Sequence, residues 1–415
     1  MRVFLVQTAR GLFSSSGGYK ANICLLRHLA SRGHVVRQLC YSYRNEAEEY
    51  VSKMATSGHH QQLRKRMLHL RSDIGQPGTD VIVSDLVMDD GVEFVALESE
   101  AFDAAFGGKE SLHKEMGRET AQYIESSARL LDFVSFLQKE IARFSPTHII
   151  SNDGLSIQAS LALDSASTTV RRVAVVHTAE QLPFGPFFGG MPGHASSHRE
   201  LDCLRQLDGI WSVSNAIKQY ALDHGQLDTS FFVHHPWTYL EEKKHMMPAQ
   251  HHNWGKRFVG MINPCVVKGS HILVELAKVC PYFDFLVYKS WGFDDDVGKQ
   301  MQHLHNMTDI KVLLVPSVWF EAWGIVVVEA HLRGIPVISS NAGALPEAML
   351  GLDHVIPDIT PWADALNELM TDRVRYEEVS TQVRETTQQW LKDMDESALE
   401  QWLVGMTNRV DRVNK

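Results

Sequence analysis

The hydrophobic positions near the start of the chain follow first a strand pattern and then a helix pattern. RVFLV is a continuous apolar run, which is typical of a buried strand. After the glycine turn SSSGGYK, the segment ANICLLRHLASRGH places Ile23, Leu26 and Leu29 to Ala30 on one helical face, and Gly33 is a suitable helix end. VVRQLCY is the next apolar run. The order strand, glycine loop, helix, strand predicts a βαβ unit and therefore a parallel sheet.

Three later segments also read as strands that run into loops. They are THIISNDG at 147–154, RRVAVVHT at 171–178 and GIWSVS at 209–214. Between them and the opening unit, residues 46–144 predict mostly helical or irregular structure with one strand at VEFVAL. The N-terminal part of the chain is therefore predicted to be a Rossmann-like α/β domain.

A second alternating series follows the polar segment EEKKHMMPAQHHNWGK, which is interpreted as an interdomain linker. Its strands are predicted at RFVGMI, FDFLVYK, KVLLVPS and IPVISS. We predict two Rossmann-like domains that face each other across a cleft, at residues 1–240 and 241–385. Residues 386–415, with Trp390 and Trp402 at helical spacing, predict a C-terminal helix that returns toward the N-terminal domain. Ligands of such sheets bind beyond the carboxyl ends of the strands.

Composition narrows the class of protein. The 415 residues are 44% hydrophobic and 22% charged, which suffices for two full cores. The net charge of −10 argues against nucleic acid as a main partner. The five cysteines are scattered without CxxC spacing, so reduced thiols are expected. Since no 18-residue apolar window and no signal-peptide core is found, a cytoplasmic location is predicted.

One apolar segment, PSVWFEAWGIVVVEA at 316–330, carries two carboxylates eight positions apart. The run before it predicts a strand, and the residues from Gly324 to about Arg333 predict a helix that ends at Gly334. The N–H groups of Gly324 and Ile325 would then be free at the helix N-terminus. They would form an anion site that suits a pyrophosphate.

The two acids, Glu321 and Glu329, lie on either side of that helix start. Their separation along the axis is at most roughly 12 Å at about 1.5 Å per residue, close to the distance from the ribose to the sugar of a nucleotide sugar. Carboxylates accept hydrogen bonds from vicinal hydroxyls. The spacing therefore suits one acid for each polyol, with the diphosphate between them. A structural alternative stays open, in which Glu321 favours the helix N-terminus and Glu329 pairs with Arg333.

The longer segment PSVWFEAWGIVVVEAHLRGIPVISSNAGALPEAM resembles the signature of the retaining glycosyltransferases of family 4, which have the GT-B fold. That signature has a Pro-Ser, a Glu, a Phe-Gly pair, a second Glu, Gly-x-Pro-Val, a glycine turn and another Glu. NPCVVKGSHI resembles the lysine–glycine loop of the family, GGYKANICLLRHLASRGHVV its acceptor-side opening, and VVHT its central histidine strand. The resemblance implies transfer of a sugar from a nucleotide sugar, expected to be UDP-linked, to an acceptor hydroxyl with retention.

The resemblance also implies roles for individual residues. Glu321 would contact the donor sugar, Lys268 would neutralise the leaving diphosphate, and His177 would lie near the anomeric carbon at the interdomain cleft; these three are the predicted catalytic residues. Glu329 would hold the ribose hydroxyls. The other implied donor-binding positions are Gly324, Ile325, Ala342, Gly343, Ala344, Asn263, Gly17 and Gly18. No metal or cofactor is implied, because the lysine and the helix dipole would stabilise the leaving charge.

The sequence departs from the family pattern at several positions. The arginine that usually precedes the lysine is absent from GMINPCVVKG, and Lys289 or another basic residue is the substitute if Lys268 does not act alone. Ala322 and Trp323 stand where the family has a glycine and a phenylalanine. These departures motivate two alternatives, a nucleotide-sugar epimerase or hydrolase and a non-catalytic binding subunit. The absence of GxGxxG and GxxxxGK[ST] argues against a dinucleotide oxidoreductase and a P-loop NTPase.

Other polar segments have simpler interpretations. LRKRMLHLR at Leu63–Arg71 is a basic amphipathic stretch, interpreted as a solvated helix face with peripheral membrane contact as the alternative. Asp294–Asp296 is interpreted as a solvated acidic loop, and His194 with His198 as surface histidines, since no third metal ligand is nearby. The acceptor stays open among lipid, glycan and small molecule.

Overall fold

The computed structural model shows an α/β protein with two compact units. It describes residues 1–13, 17–56, 62–70, 79–98, 100, 128–161, 170–187, 198–236, 252–288, 302–303, 309–352, 358–395 and 397–406. The first unit is made of Met1–Val213, Lys218–His234 and Ser397–Lys415, and the second of Ser214–Ile217 and His235–Glu396.

The first unit is built on a nine-stranded sheet with the order β3-β4-β5-β2-β1-β6-β7-β8-β9. Its strands are β1 (Arg2–Arg10), β2 (Val35–Ser42), β3 (Gln62–Leu70), β4 (Thr79–Val87), β5 (Val92–Glu98), β6 (His148–Ser151), β7 (Arg171–Val176), β8 (Gly209–Ser212) and β9 (Phe231–Val233). Its helices are α1 (Gly17–Ser31), α2 (Glu46–Thr56), α3 (Ala128–Phe144), α4 (Gly154–Leu161), α5 (His198–Gln206) and α6 (Asn215–Gly225), the last of which begins in the second unit.

The parallel part of this sheet confirms the predicted βαβ opening. Strand β1 pairs in parallel with β2 on one side and with β6 on the other. The apolar runs that predicted these strands are buried on both faces, as parallel strands covered by helices require. Phe4, Leu39 and Ile149 belong to one core cluster together with Leu137 and Ile141 of α3. The carboxyl ends of β1, β6 and β7 therefore lie side by side at one edge.

The prediction for residues 46–144 is wrong in part, because two strands there were missed. Strand β3 pairs antiparallel with β4, and β4 pairs antiparallel with β5. The basic stretch is thus a strand and not a helix from Leu63 to Leu70. Arg71 lies outside the described residues. Its basic residues have acidic partners within the fold: Lys65 pairs with Glu48, and Arg66 with Asp85 (3.0 Å) and Glu140 (2.7 Å). Consecutive basic residues that find acidic partners elsewhere in the fold resemble a solvated helix face in the sequence.

The second unit is built on a five-stranded parallel sheet with the order β12-β11-β10-β13-β14. Its strands are β10 (Phe258–Ile262), β11 (Asp284–Tyr288), β12 (Gln302–His303), β13 (Ile310–Val315) and β14 (Val337–Ser339). Its helices are α7 (Ser270–Val279), α8 (Ile325–Leu332), α9 (Leu345–Ala348), α10 (Ile359–Thr371) and α11 (Arg373–Asp393). Buried side chains cover both faces of the sheet. The loops that follow β10, β13 and β14 emerge at the same edge, because these neighbouring strands are parallel.

The end of the chain is divided between the two units. Helix α11 ends at Asp393 in the second unit. The predicted boundary at 385/386 falls inside this helix, so the prediction of a single terminal helix from residue 386 is wrong. The next helix, α12 (Ala398–Gly405), belongs to the first unit. The other predicted boundary, at 240/241, lies outside the described residues.

Helix α12 packs on the first unit through aromatic and polar contacts. Trp402 stacks on Phe232, with ring centroids 5.2 Å apart. His148 Nε2 lies 2.9 Å from the carbonyl oxygen of Leu403, and His34 Nε2 lies 2.8 Å from Glu400 Oε1. No helix among the described residues is both long enough and apolar enough to cross a membrane.

Gly209 allows Trp402 to lie close against β8, which gives a test of this packing. A Cβ atom at position 209 would lie 2.6 Å from Trp402 Cζ2 and 2.8 Å from Cη2. Since the indole is rigid, we expect Gly209→Ala to destabilise the first unit by about 1–3 kcal/mol, as overpacking does. Urea unfolding measures the change. Gly405→Ala on α12 is the control, because nothing lies within 4 Å of a Cβ there. Equal stability of the two variants would contradict close packing at Gly209.

Candidate active site

The segment that leads from β13 into α8 has the predicted form of strand, loop and helix. Strand β13 is buried along its whole length, and the helix runs from Ile325 to Leu332, within about one residue of the prediction. Gly324 precedes it with φ of 83°, a left-handed conformation that glycine adopts without strain. A Cβ atom there would also lie 2.7 Å from Leu345 Cδ2. Both constraints favour glycine at this helix start.

The N-terminus of α8 presents free backbone donors. The N–H of Val327 donates to the carbonyl oxygen of Gly324 (2.9 Å). No group among the described residues accepts a hydrogen bond from the N–H of Gly324 or Ile325. Unpaired N–H groups at a helix N-terminus attract anions. These two N–H groups are therefore available at this helix start, and binding of an anion by them stays a prediction.

The carboxylate of Glu321, in the loop before α8, is held by a lysine and a serine. Its carboxylate forms an ion pair with Lys268, and Oε1 also accepts a hydrogen bond from Ser317 Oγ (2.5 Å). Ser340 Oγ donates to the carbonyl oxygen of Ser317 (2.6 Å). Ser317 and Ser340 are fully buried, whereas the side chains of Glu321 and Lys268 are 15% and 28% exposed. Two buried serines thus support the pair of Glu321 and Lys268, whose side chains remain partly accessible to solvent.

The turn after β14 fixes the backbone of Glu321. The N–H of Ala344 donates to the carbonyl oxygen of Glu321 (2.7 Å), so this predicted donor is engaged within the protein. The N–H groups of Ala342 and Gly343 have no hydrogen-bond partner among the described residues. Gly343 has φ of 58°, and a Cβ atom there would overlap the carbonyl oxygen of Glu321 and lie 2.7 Å from its nitrogen. The Ala342–Ala344 turn therefore both supports Glu321 and offers two free N–H groups.

The loop after β10 brings Lys268 to the same edge of the sheet. The N–H of Val318 donates to the carbonyl oxygen of Val267 (3.1 Å), which ties this loop to the loop after β13. Gly269 has φ of 82° and lies against the carbonyl oxygen of Pro316, where no side chain would fit. Lys268 is thereby held beside the helix loop.

Asn263 directly follows β10 and has an unusual backbone conformation and side-chain environment. Its φ is 55° and it is 5% exposed. Neither Nδ2 nor Oδ1 of its amide has a hydrogen-bond partner in the described part of the chain. A buried amide without partners is costly, and such groups are found where a ligand or an ordered water completes the bonding. Donor binding by Asn263 stays a prediction.

Glu329 lies more than a turn inside α8 and is half-buried. Arg333 Nη1 donates to its backbone carbonyl oxygen (2.7 Å), so the predicted neighbour on the helix is in contact. The structure brings Glu321, Lys268, Gly324, Ile325, Asn263 and the Ala342–Ala344 turn to the carboxyl edge of one sheet, with Glu329 on the adjoining helix.

The first unit holds the remaining predicted residues at the carboxyl edge of its own sheet. His177 follows β7, and Gly17 and Gly18 form the first turn of α1 rather than the preceding loop. A Cβ atom at Gly18 would lie 3.0 Å from Cγ and Cδ2 of His177, so the helix start lies directly against the imidazole. Burial lowers the pKa of His177 to about 4, which makes the ring neutral at physiological pH.

Several polar residues at these two edges were missed in the sequence. Ser317 and Ser340 support Glu321, and Asn22 Oδ1 lies 2.8 Å from His177 Nε2. The Pro-Ser pair of the motif was a signal for Ser317. Ser340 and Asn22 act through contacts between distant parts of the chain, which spacing does not reveal.

The alternative polar groups carry no metal cluster in the described part of the chain. Asp294–Asp296, His194 and Lys289 lie outside the described residues, while His198 begins α5. No group of three or more His, Cys, Asp or Glu side chains among the described residues is arranged to hold a metal ion. Independence from metal stays a prediction.

Comparison with known proteins gives a family match for one segment of the chain. Residues 293–390 match the family model described as glycosyl transferases group 1. No curated protein matches the sequence. This confirms the predicted relation to the group 1 glycosyltransferases over that segment, and the assignment to family 4 stays a prediction.

Solved glycosyltransferases share the fold over nearly the whole chain. Sucrose-phosphate synthase from Thermosynechococcus elongatus is 14% identical, with a TM-score of 0.62 and 94% of both chains covered. S. aureus TarM, in complex with fondaparinux, alpha-GlcNAc-glycerol and UDP, is 13% identical, with a TM-score of 0.63 and coverage of 97% and 99%. Anabaena HepE, in complex with UDP and glucose, is 13% identical, with a TM-score of 0.55 and coverage of 97% and 98%. The chain therefore has the GT-B fold, as predicted.

The contact of Gly343 with Glu321 can be tested against a second left-handed glycine in the same unit. Gly343→Ala and Gly351→Ala share the cost of a positive φ, about 1–2 kcal/mol. Nothing lies within 4 Å of a Cβ at Gly351, whereas a Cβ at Gly343 overlaps the backbone of Glu321. We expect Gly343→Ala to lower the free energy of unfolding by about 1–3 kcal/mol more than Gly351→Ala does. Urea unfolding of both variants measures the difference, and equal costs would show that the turn does not press on Glu321.

Proposed function

We propose that the protein is a retaining glycosyltransferase that transfers a sugar from a nucleotide sugar, UDP-linked in our proposal, to a hydroxyl of an acceptor. The observation that carries the proposal is the convergence of three loops at one sheet edge of the second unit. There Lys268 pairs with Glu321 next to the free N–H groups at the start of α8. The group 1 match of residues 293–390 and the GT-B fold support it, and complexes of TarM and HepE contain UDP.

The diphosphate of the donor suits the positive groups of this edge. The N–H groups of Gly324 and Ile325 and the turn donors of Ala342 and Gly343 bind its oxygens, and Lys268 supplies the opposing charge. Lys268 exchanges its partner from the Glu321 carboxylate to the phosphate. The freed carboxylate then accepts hydrogen bonds from the hydroxyls of the donor sugar. Glu329 accepts those of the ribose.

The reaction in this proposal needs no nucleophilic side chain. The bond between the anomeric carbon and the diphosphate oxygen breaks, and the acceptor oxygen forms its bond to that carbon on the same face. The acceptor proton passes to the departing phosphate oxygen. Lys268 and the start of α8 stabilise the negative charge as it develops on the leaving group, which is electrostatic catalysis. The acceptor stays open among lipid, glycan and small molecule, and cytoplasmic location stays a prediction.

A non-catalytic nucleotide-binding subunit is the second candidate, and one observation favours it. Met261, in the stretch where relatives have an arginine, is fully buried in an apolar cluster, so it leaves Lys268 without a neighbouring cation at that position. Release of UDP from a UDP-sugar in the presence of an acceptor distinguishes the candidates. Binding of UDP without release would favour the binding subunit, and release without any acceptor would favour a hydrolase.

Lys268→Ala tests the role of the ammonium group in the reaction. We expect kcat/KM to fall by roughly 100-fold or more, since one electrostatic donor stabilises a transition state by about 3 kcal/mol. Steady-state assay of UDP release measures it. Lys278→Ala on α7 is the matched control, because that lysine is 60% exposed and, among the described residues, pairs only with the helix neighbour Glu275. A wild-type rate in Lys268→Ala would remove the proposed leaving-group role.

Replacement of Glu329 and of Glu321 is expected to change different properties, UDP affinity and kcat respectively. Glu329→Ala should weaken UDP binding by roughly 10-fold or more, because hydrogen bonds to a charged group contribute about 1.5–3 kcal/mol. Glu321→Ala should mostly lower kcat, since its proposed contact is with the transferred sugar. Calorimetry with UDP and rate measurements separate these effects, and Glu377→Ala, at a half-exposed position of α11, is the control. Unchanged UDP affinity in Glu329→Ala would exclude the ribose role.

A further inference from the structure

His177 is fixed at the carboxyl edge of β7 by its backbone. Its N–H donates to Gln181 Oε1 (2.6 Å), and Gln181 Nε2 donates to the carbonyl oxygen of Asn152 (2.5 Å). The imidazole meets the indole of Trp211 edge to face, with ring centroids 5.8 Å apart. Gly18 brings the N-terminus of α1 against Cγ and Cδ2 of the ring. The imidazole is thus restricted in position, and the remaining question is which of its nitrogens carries the proton.

Asn22 answers that question through its own hydrogen bonds. It is completely buried in α1, four residues after Gly18 and therefore on the same helical face. Its Nδ2 donates to Gln7 Oε1 (3.0 Å) and to Asn152 Oδ1 (3.1 Å). Both amide protons are thereby used, so Asn22 Oδ1, 2.8 Å from His177 Nε2, is an acceptor. The opposite amide orientation would place the Asn22 oxygen against two other oxygens.

A neutral imidazole that donates from Nε2 carries a lone pair on Nδ1. Nδ1 of His177 has no hydrogen-bond partner among the described residues. The N-terminus of α1 disfavours a positive charge on the ring, as helix dipoles do near their N-termini. Burial acts in the same direction and lowers the pKa of His177. The neutral ring is therefore suited to accept a hydrogen bond at Nδ1, and poorly suited to neutralise an anion.

We propose that Asn22 is a positioning residue that holds His177 as the Nε2–H tautomer, so that Nδ1 accepts a hydrogen bond from a hydroxyl group of the ligand bound at the carboxyl edge of the first unit. The identification of that ligand with the acceptor rests on the proposed function; the tautomer does not. The hydroxyl bound here as a donor to neutral nitrogen is one that does not react, so the reacting hydroxyl of the acceptor keeps its proton for the departing phosphate oxygen. His177 is then neither a cation for the diphosphate nor a proton donor in the reaction.

The tautomer is measured on the wild-type protein without any ligand. Nitrogen NMR of the protein labelled in its histidines, with the His177 signal identified by its loss in His177→Gln, reports the protonation of each nitrogen. We expect Nε2 protonated and Nδ1 unprotonated, and a ring still neutral at about pH 5.5, one unit below the ordinary imidazole pKa of about 6.5. A proton on Nδ1, or a charged ring near neutral pH, would overturn the proposal whatever the reaction is.

Two variants of Asn22 test the positioning role. Asn22→Ala removes the oxygen that accepts the hydrogen bond from His177 Nε2–H. We expect Nδ1-protonated His177 to appear and kcat/KM for the acceptor substrate to fall at least 10-fold, while UDP affinity stays unchanged. Asn22→Asp keeps an acceptor for Nε2–H, and its negative charge should raise the pKa of His177. Ser31→Ala, at an exposed position of the same helix, is the control. Thermal unfolding checks that each variant is folded.

The outcomes separate this inference from the proposed function. If wild-type protein binds no UDP and releases none from UDP-sugars, the proposed function fails, and the NMR result still decides the tautomer. If Asn22→Ala shifts the tautomer but leaves acceptor kcat/KM unchanged, the role of Nδ1 in acceptor binding is wrong while the glycosyltransferase proposal stands. If Asn22→Ala changes neither, Asn22 does not position His177.

Discussion

The ion pair between Lys268 and Glu321 is the interaction on which the second unit's candidate site depends. Neither residue is placed by its own element alone. Lys268 reaches the pair because Gly269 lies against Pro316, and Glu321 because Gly343 lies against its backbone. The buried hydroxyl of Ser317 then donates to the carboxylate, and the hydroxyl of Ser340 holds Ser317 through its backbone carbonyl oxygen. A charged pair that is partly exposed and supported by neutral buried groups can exchange a partner without a large desolvation cost.

The parallel order of the strands makes this arrangement achievable with short loops. Strands β10, β13 and β14 are neighbours in one sheet, so the loops at their carboxyl ends meet without long connections. The glycines Gly269, Gly324 and Gly343 all have positive φ, and each has a neighbour that a side chain would strike. The close approach of the loops is therefore encoded by glycines at the points of contact. Bulky residues in the same loops would separate the charges that the site brings together.

The sequence predicted those features that depend on local pattern. Apolar runs predicted the parallel strands, and Gly324 predicted the start of α8, because both signals arise from a few neighbouring residues. Strands β3 and β4 were missed since their charged residues pair across the fold: the partner of Arg66 on α3 is 74 positions away. Asn22 was missed for the same reason, because its contacts with Asn152 and His177 span 130 and 155 positions. Tertiary hydrogen bonds of this kind leave no periodic trace in one sequence.

The two units present opposite electrostatic character at their carboxyl edges. The second unit offers an ammonium group and N–H groups without a partner among the described residues, which suit the leaving group of the proposed reaction as it gains negative charge. The first unit offers a histidine whose pKa is lowered by burial, supported by amides that carry no charge. A neutral lone pair orients a hydroxyl without adding a charge, which is the reason to expect that the amide network around Asn22 serves the proposed ligand binding and not only the stability of the core.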